Sequence, residues 1–165
     1  MRRGPGIPHV DAFLWALSNG GYFPVPEGAN DMVAAGYNVY QCERARTLLA
    51  RLGYLVVVGR HGAYIVNSEL YYLDPAGRIR VNPPERPREP RLDLLLIVLS
   101  GDRTPQAAFL RLWEGARNPV ALYRRARGEL LRYGYIEERY GNWFYYPGPR
   151  TRTILTGVIS NNYII

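Results

Sequence analysis

Three arginines, Arg44, Arg46 and Arg51, recur 81 positions further on as Arg125, Arg127 and Arg132, and these side chains are the ones best equipped for chemistry. A guanidinium is a planar fork of five donors that grips phosphate bidentately, stacks on bases and stays charged at any relevant pH. All 21 basic residues are arginine, set against 14 Asp plus Glu, for a formal charge of +7. That balance points to a polyanionic partner. The alternatives are GC-rich codon usage, a heat-adapted composition, or a merely solvated helix face.

Other chemistries lack their residues. There is no lysine, hence no Gly-rich phosphate loop ending in Lys, and no His-Glu-x-x-His or paired-cysteine motif. His9 and His61 are the only histidines, so general bases are scarce and His61 has no second metal ligand nearby. Cys42 stands alone, which rules out an intramolecular disulfide and fits a reducing compartment. We therefore expect no catalysis, no cofactor, no metal and no small-molecule substrate. No run approaches the length needed to cross a bilayer or to act as a signal peptide, so the expectation is a soluble, cytoplasmic protein.

What must position the arginines is legible as a repeat. The stretch from Val39 to Leu55 matches Val120 to Ile136 at eight places, and Val10 to Ser18 aligns more weakly with Leu92 to Ser100, 82 positions on. Chance would give roughly one or two matches, so internal duplication is the reading. Each copy runs as helix, short helix, longer helix, then hairpin. In the second copy these are Leu92 to Leu99, a helix opened by Thr104-Pro105, and a third opened by Asn118-Pro119 and closed by Gly134. A hairpin of 135–139 and 143–146 follows. In the first copy the second helix is Asp31 to Ala35; Asn38 and Gly53 bound the third, and 54–58 pairs with 63–66 around Gly59-Arg60-His61-Gly62. A further hairpin, 69–73 with 78–81, should extend that sheet. The Pro-rich 82–90 reads as a stiff linker between modules 1–81 and 91–149, with 150–165 an apolar strand or tail.

Helical spacing sorts the third helices into two faces. Cys42, Ala45, Leu48, Leu49 and Leu52 point inward in the first, with Tyr40, Glu43, Arg44, Thr47 and Arg51 opposite. In the second, Leu122, Tyr123, Ala126, Leu130 and Tyr133 point inward and Ala121, Arg124, Arg125, Gly128 and Arg132 outward, for a helix charge of +3. Gly128 in an exposed helix interior costs about 1 kcal/mol relative to Ala. It either lets the backbone approach a groove or reflects drift.

Three helices and a hairpin, with an amphipathic third helix ending in Gly, resemble the winged helix-turn-helix family over residues 9 to 67 and 91 to 147. The Arg-only, Tyr-rich composition is also similar to that of crenarchaeal virus proteins, a likeness that carries no activity. The fold expected is mainly α with small antiparallel sheets (α+β), as two tandem winged helix-turn-helix modules related by duplication. The resemblance implies double-stranded DNA as partner and a role in transcription regulation. The nucleic-acid-binding residues would be Tyr40, Arg44, Thr47, Arg51, Arg60, Arg124, Arg125, Gly128 and Arg132. Arg60 and His61 fit a phosphate contact at the first wing, while Glu137 and Glu138 should turn the second wing away. Thr153 to Thr156 and Val158 to Ser160 read as strand that should pair with a sheet edge, either of its own chain or of a second copy, and a homodimer joined through that tail would present matching basic helices. A protein-interaction scaffold is the rival role.

Overall fold

Proline opens five of the helices, at Pro8, Pro90, Pro105, Pro119 and Pro149, where its fixed φ suits the first turn and its missing N–H is no loss. The computed structural model describes residues 6–23, 32–59, 63–139 and 144–159. In chain order these form α1 (Pro8–Ser18), β1 (Tyr22–Phe23), a helical turn at 32–34, α2 (Val39–Leu52), β2 (Leu55–Val58) and β3 (Ala63–Val66). Then follow β4 (Tyr71–Leu73), β5 (Ile79–Val81), α3 (Pro90–Leu99), α4 (Pro105–Leu112), α5 (Pro119–Arg132), β6 (Ile136–Arg139), β7 (Phe144–Pro147) and α6 (Pro149–Ile159). The result is a mixed fold of helices with small antiparallel sheets.

Local chemistry sets the ends of the two long helices. The Asn38 side chain accepts from the Gln41 amide while the Gln41 side chain accepts from the Asn38 amide, a reciprocal cap at the start of α2. Asn118 caps α5 by accepting from the Ala121 amide. Gly53 and Gly134, at φ 89° and 80°, take the left-handed conformation that releases each chain from its helix. These boundaries agree with the sequence expectation.

α1 and α3 form the centre. Every residue of α3 from Leu92 to Leu99 is buried, as is most of α1, and a helix apolar on all sides needs neighbours on all sides. α1 packs against α2 and α6, and α3 against α4, α5 and β7. Cys42, Ala45 and Leu49 of α2 and Tyr123, Ala126 and Leu130 of α5 close one continuous core. Leu52 and Tyr133, expected to be buried, are half-buried because each sits at a helix end where the chain turns away.

Three expectations are corrected. The C-terminal segment is helix rather than strand through Ile159. Pro149 starts it, Leu155 and Thr151 are buried, and the Thr151 hydroxyl donates to the Tyr135 carbonyl at 2.8 Å, so packing on α1 overrides the β-branched composition. The 71–81 hairpin does not extend the first sheet: among the described residues β4 and β5 pair with each other alone, and the edge of β3 is taken by β1, with Tyr22 opposite Ile65 and Phe23 opposite Tyr64. The end of the stiff linker expected over 82–90 is packed into the fold, since Glu89 is buried and Pro90 already begins α3. Of the expected 31–35 helix, 32–34 is helical and Asp31 lies outside the described residues.

Candidate nucleic-acid interface

Two helices of 14 residues each carry the arginines, and their outward faces match the helical-wheel assignment. Tyr40, Arg44, Thr47 and Arg51 on α2 are exposed, as are Arg124, Arg125, Gly128 and Arg132 on α5. Arg60, with His61, lies outside the described residues. Among the described residues no carboxylate lies within ion-pair distance of Arg44, Arg51, Arg124, Arg125 or Arg132, whereas nine other pairings are made. Glu129, the acid on α5, is approached at 3.8 Å by Arg91. Arg44 is pre-positioned by its neighbour, donating to the Tyr40 hydroxyl at 3.1 Å with its guanidinium 5.4 Å from the ring centroid.

Arg46 and Arg127 repeat in sequence but leave this face. Each is half-buried, with a buried Nε, and Arg127 lies 5.9 Å from the Tyr123 ring centroid. Two residues passed over in the sequence belong on the face instead. Val39 and Val120, 61% and 42% exposed, occupy matching places at the starts of α2 and α5. An apolar residue at a helix tip suits a thymine methyl, and the signal was the same 81-residue spacing. The β6–β7 hairpin is less acidic than its sequence suggests: Arg152 and Arg139 pair with Glu137 at 2.7 and 2.9 Å. Burial pushes that carboxyl up, but the two arginines outweigh it and hold it below the usual carboxylate range.

Two buried carboxylates fix where the helices begin. Asp11, in α1, accepts from the Tyr37 and Tyr135 hydroxyls, both at 2.6 Å, and pairs with the Arg150 guanidinium. Asp93, in α3, accepts from the Tyr54 hydroxyl at 2.6 Å, the Arg88 amide at 2.9 Å and the Trp113 indole at 3.1 Å. Tyr37 directly precedes the Asn38 cap of α2, and Trp113 leads into the turn before the Asn118 cap of α5. A buried carboxylate must find donors, and here the donors tie each arginine helix to a central one.

The network predicts a pH profile. Burial raises Asp93 from 3.8 to about 6 despite its three donors, so the unfolded chain ionises first and stability declines as pH rises through that window. Glu89 moves oppositely. Burial raises it, but His9 at 3.3 Å, Arg91 and the Leu92 amide outweigh that and hold it at about 2, so its contribution is complete above 4.5 and fades as pH falls toward 2. The melting temperature should therefore peak at roughly pH 4 to 5. In Asp93→Asn the fall from pH 5 to 7 should vanish; an unchanged fall would refute the assignment.

Gly128 offers a second test, because a Cβ there meets nothing within 4 Å. Gly128→Ala should stabilise the free protein by about 1 kcal/mol in denaturant titration and weaken duplex binding by crowding the groove. Unaltered binding would assign the glycine to drift.

Among the described residues no group of three or more His, Cys, Asp or Glu could hold a metal ion, and no helix is long and apolar enough to cross a membrane. Comparison with protein-family models, curated proteins and solved structures yields no match.

Proposed function

We propose that this protein binds double-stranded DNA through α2 and α5, acting as two tandem winged helix-turn-helix modules that arose by duplication and serving in transcription regulation. The observation that carries the reading is a set of five exposed arginines on matching faces of two helices, none with a carboxylate partner among the described residues. Surface arginines with no acid to satisfy them are available for phosphates and guanine edges. The order helix, strand, helical turn, helix, hairpin in residues 8–66, with β1 joined to β3, supports a winged module. Residues 90–147 support a second, with α3, α4, α5 and the β6–β7 hairpin in the same order.

Selection from a random duplex library tests the proposal. Enrichment of a defined motif is expected; failure to retain any duplex at low salt would overturn it. A second reading, a protein-interaction scaffold, is favoured by the exposed apolar residues Tyr22, Val56 and Val57 on the first sheet. The homodimer expected from a paired tail strand loses that basis, since α6 is helical and packs on its own chain.

A further inference from the structure

Resting on the DNA reading, we infer that a single chain presents α2 and α5 as a two-fold-related pair, so that its target is an imperfect inverted repeat read by one copy. The starting point is a pair of tyrosines, each following the glycine that ends an arginine helix. The Tyr54 hydroxyl accepts from the Glu89 amide at 2.7 Å, lies 3.2 Å from the Glu89 carbonyl and donates to Asp93 at 2.6 Å. The Tyr135 hydroxyl accepts from the Ile7 amide at 2.8 Å, lies 3.3 Å from the Ile7 carbonyl and donates to Asp11 at 2.6 Å. Ile7 and Glu89 are the N-caps of α1 and α3. Each half of the chain thus inserts the same side chain into the same place at the start of the other half's first helix.

That reciprocity identifies the symmetry. In a two-fold contact, residue i meets residue j and residue j meets residue i; a head-to-tail repeat brings two different surfaces together. The cations around the tyrosines show that shared sequence alone does not explain the match. The Arg88 guanidinium lies 5.8 Å from the Tyr54 ring centroid, and a guanidinium from elsewhere in the chain, Arg150, lies 5.6 Å from that of Tyr135. The residue before Ile7 is Gly6, where Arg88 precedes Glu89, and a Cβ on Gly6 would fall 2.6 Å from the Arg150 Nε. Arg150 fills the place that Arg88 fills in the other half.

The symmetry passes to the arginine helices because each leads through one glycine into its tyrosine: α2 through Gly53 to Tyr54, and α5 through Gly134 to Tyr135. Duplex DNA has local two-fold axes across its strands, so helices related by a two-fold read inverted half-sites, as helix-turn-helix dimers do. The half-sites should not be identical. Arg44 and Arg51 correspond to Arg125 and Arg132, whereas Tyr40, Glu43 and Thr47 correspond to Ala121, Arg124 and Gly128.

The test selects binders from duplexes of random sequence, about 30 base pairs long to cover two half-sites one turn apart. The enriched sequence is then rebuilt as an inverted repeat, a direct repeat and a single half-site. Full-length protein should bind the inverted repeat at least tenfold more tightly than the direct repeat, with one chain per duplex by native mass spectrometry. Arg44→Ala should relax selection in one half-site and Arg125→Ala in the other. Equal affinity for inverted and direct repeats, or two chains on each inverted repeat, would overturn the two-fold inference while leaving DNA binding intact. Binding to no duplex would overturn both.

Discussion

Replacing Asp11 with alanine is expected to lower the stability of the chain by about 3–5 kcal/mol, the range for breaking a buried ion pair from one side. Asp11 is fully buried and serves three partners, the Tyr37 and Tyr135 hydroxyls and the Arg150 guanidinium, whose side chain is only 17% exposed. The variant leaves a nearly buried cation and two hydroxyls without their acceptor. Domains hold only about 5–15 kcal/mol in all, so the melting temperature should fall by roughly 10 °C. Asp11→Ala combined with Arg150→Met should recover part of the loss, because the orphaned charge leaves with the arginine. A single variant melting within two degrees of the parent, or a double variant worse than the single, would contradict the ion-pair account.

The second large effect concerns binding. Changing Arg124, Arg125 and Arg132 together to glutamate replaces three exposed cations on one helix face with anions. Each phosphate contact is worth about 1 kcal/mol of Coulomb energy in water at 4 Å, and reversal turns attraction to repulsion. Duplex affinity should fall on the order of 100-fold or more. The three side chains are exposed and have no carboxylate partner among the described residues, so circular dichroism and melting should stay near those of the parent. The matching change at Arg44 and Arg51 should cost less, since Glu43 already sits among them. A folded triple variant that binds as the parent does would remove α5 from the interface.

Features encoded within a few residues are legible in the sequence. Asn38, Gly53, Asn118 and Gly134 marked the helix ends because capping is a matter of neighbouring atoms, and the arginine faces followed from helical spacing. What was missed depends on contacts between distant parts of the chain. α6 is helix because Leu155 and Thr151 have a place on α1 and beneath Tyr135, which its β-branched composition does not encode. β1 forms because β3 has a free edge beside it, so a Gly- and Pro-rich stretch acquires a strand. The buried network left a trace that could have been followed: Asp11 and Asp93 interrupt apolar helices at matching positions, and Tyr54 and Tyr135 follow matching glycines. A carboxylate set in an apolar run calls for donors, and those tyrosines provide them.

Five exposed arginines on α2 and α5, set against a phosphate backbone as proposed, should make binding to a random-sequence duplex strongly dependent on salt. If each neutralises one phosphate, log Kd against log salt should have a slope magnitude of about 4 to 5, falling by about 3 in the Arg124, Arg125 and Arg132 triple variant. A slope near zero, or one that the triple variant leaves unchanged, would show that these arginines do not meet the phosphates.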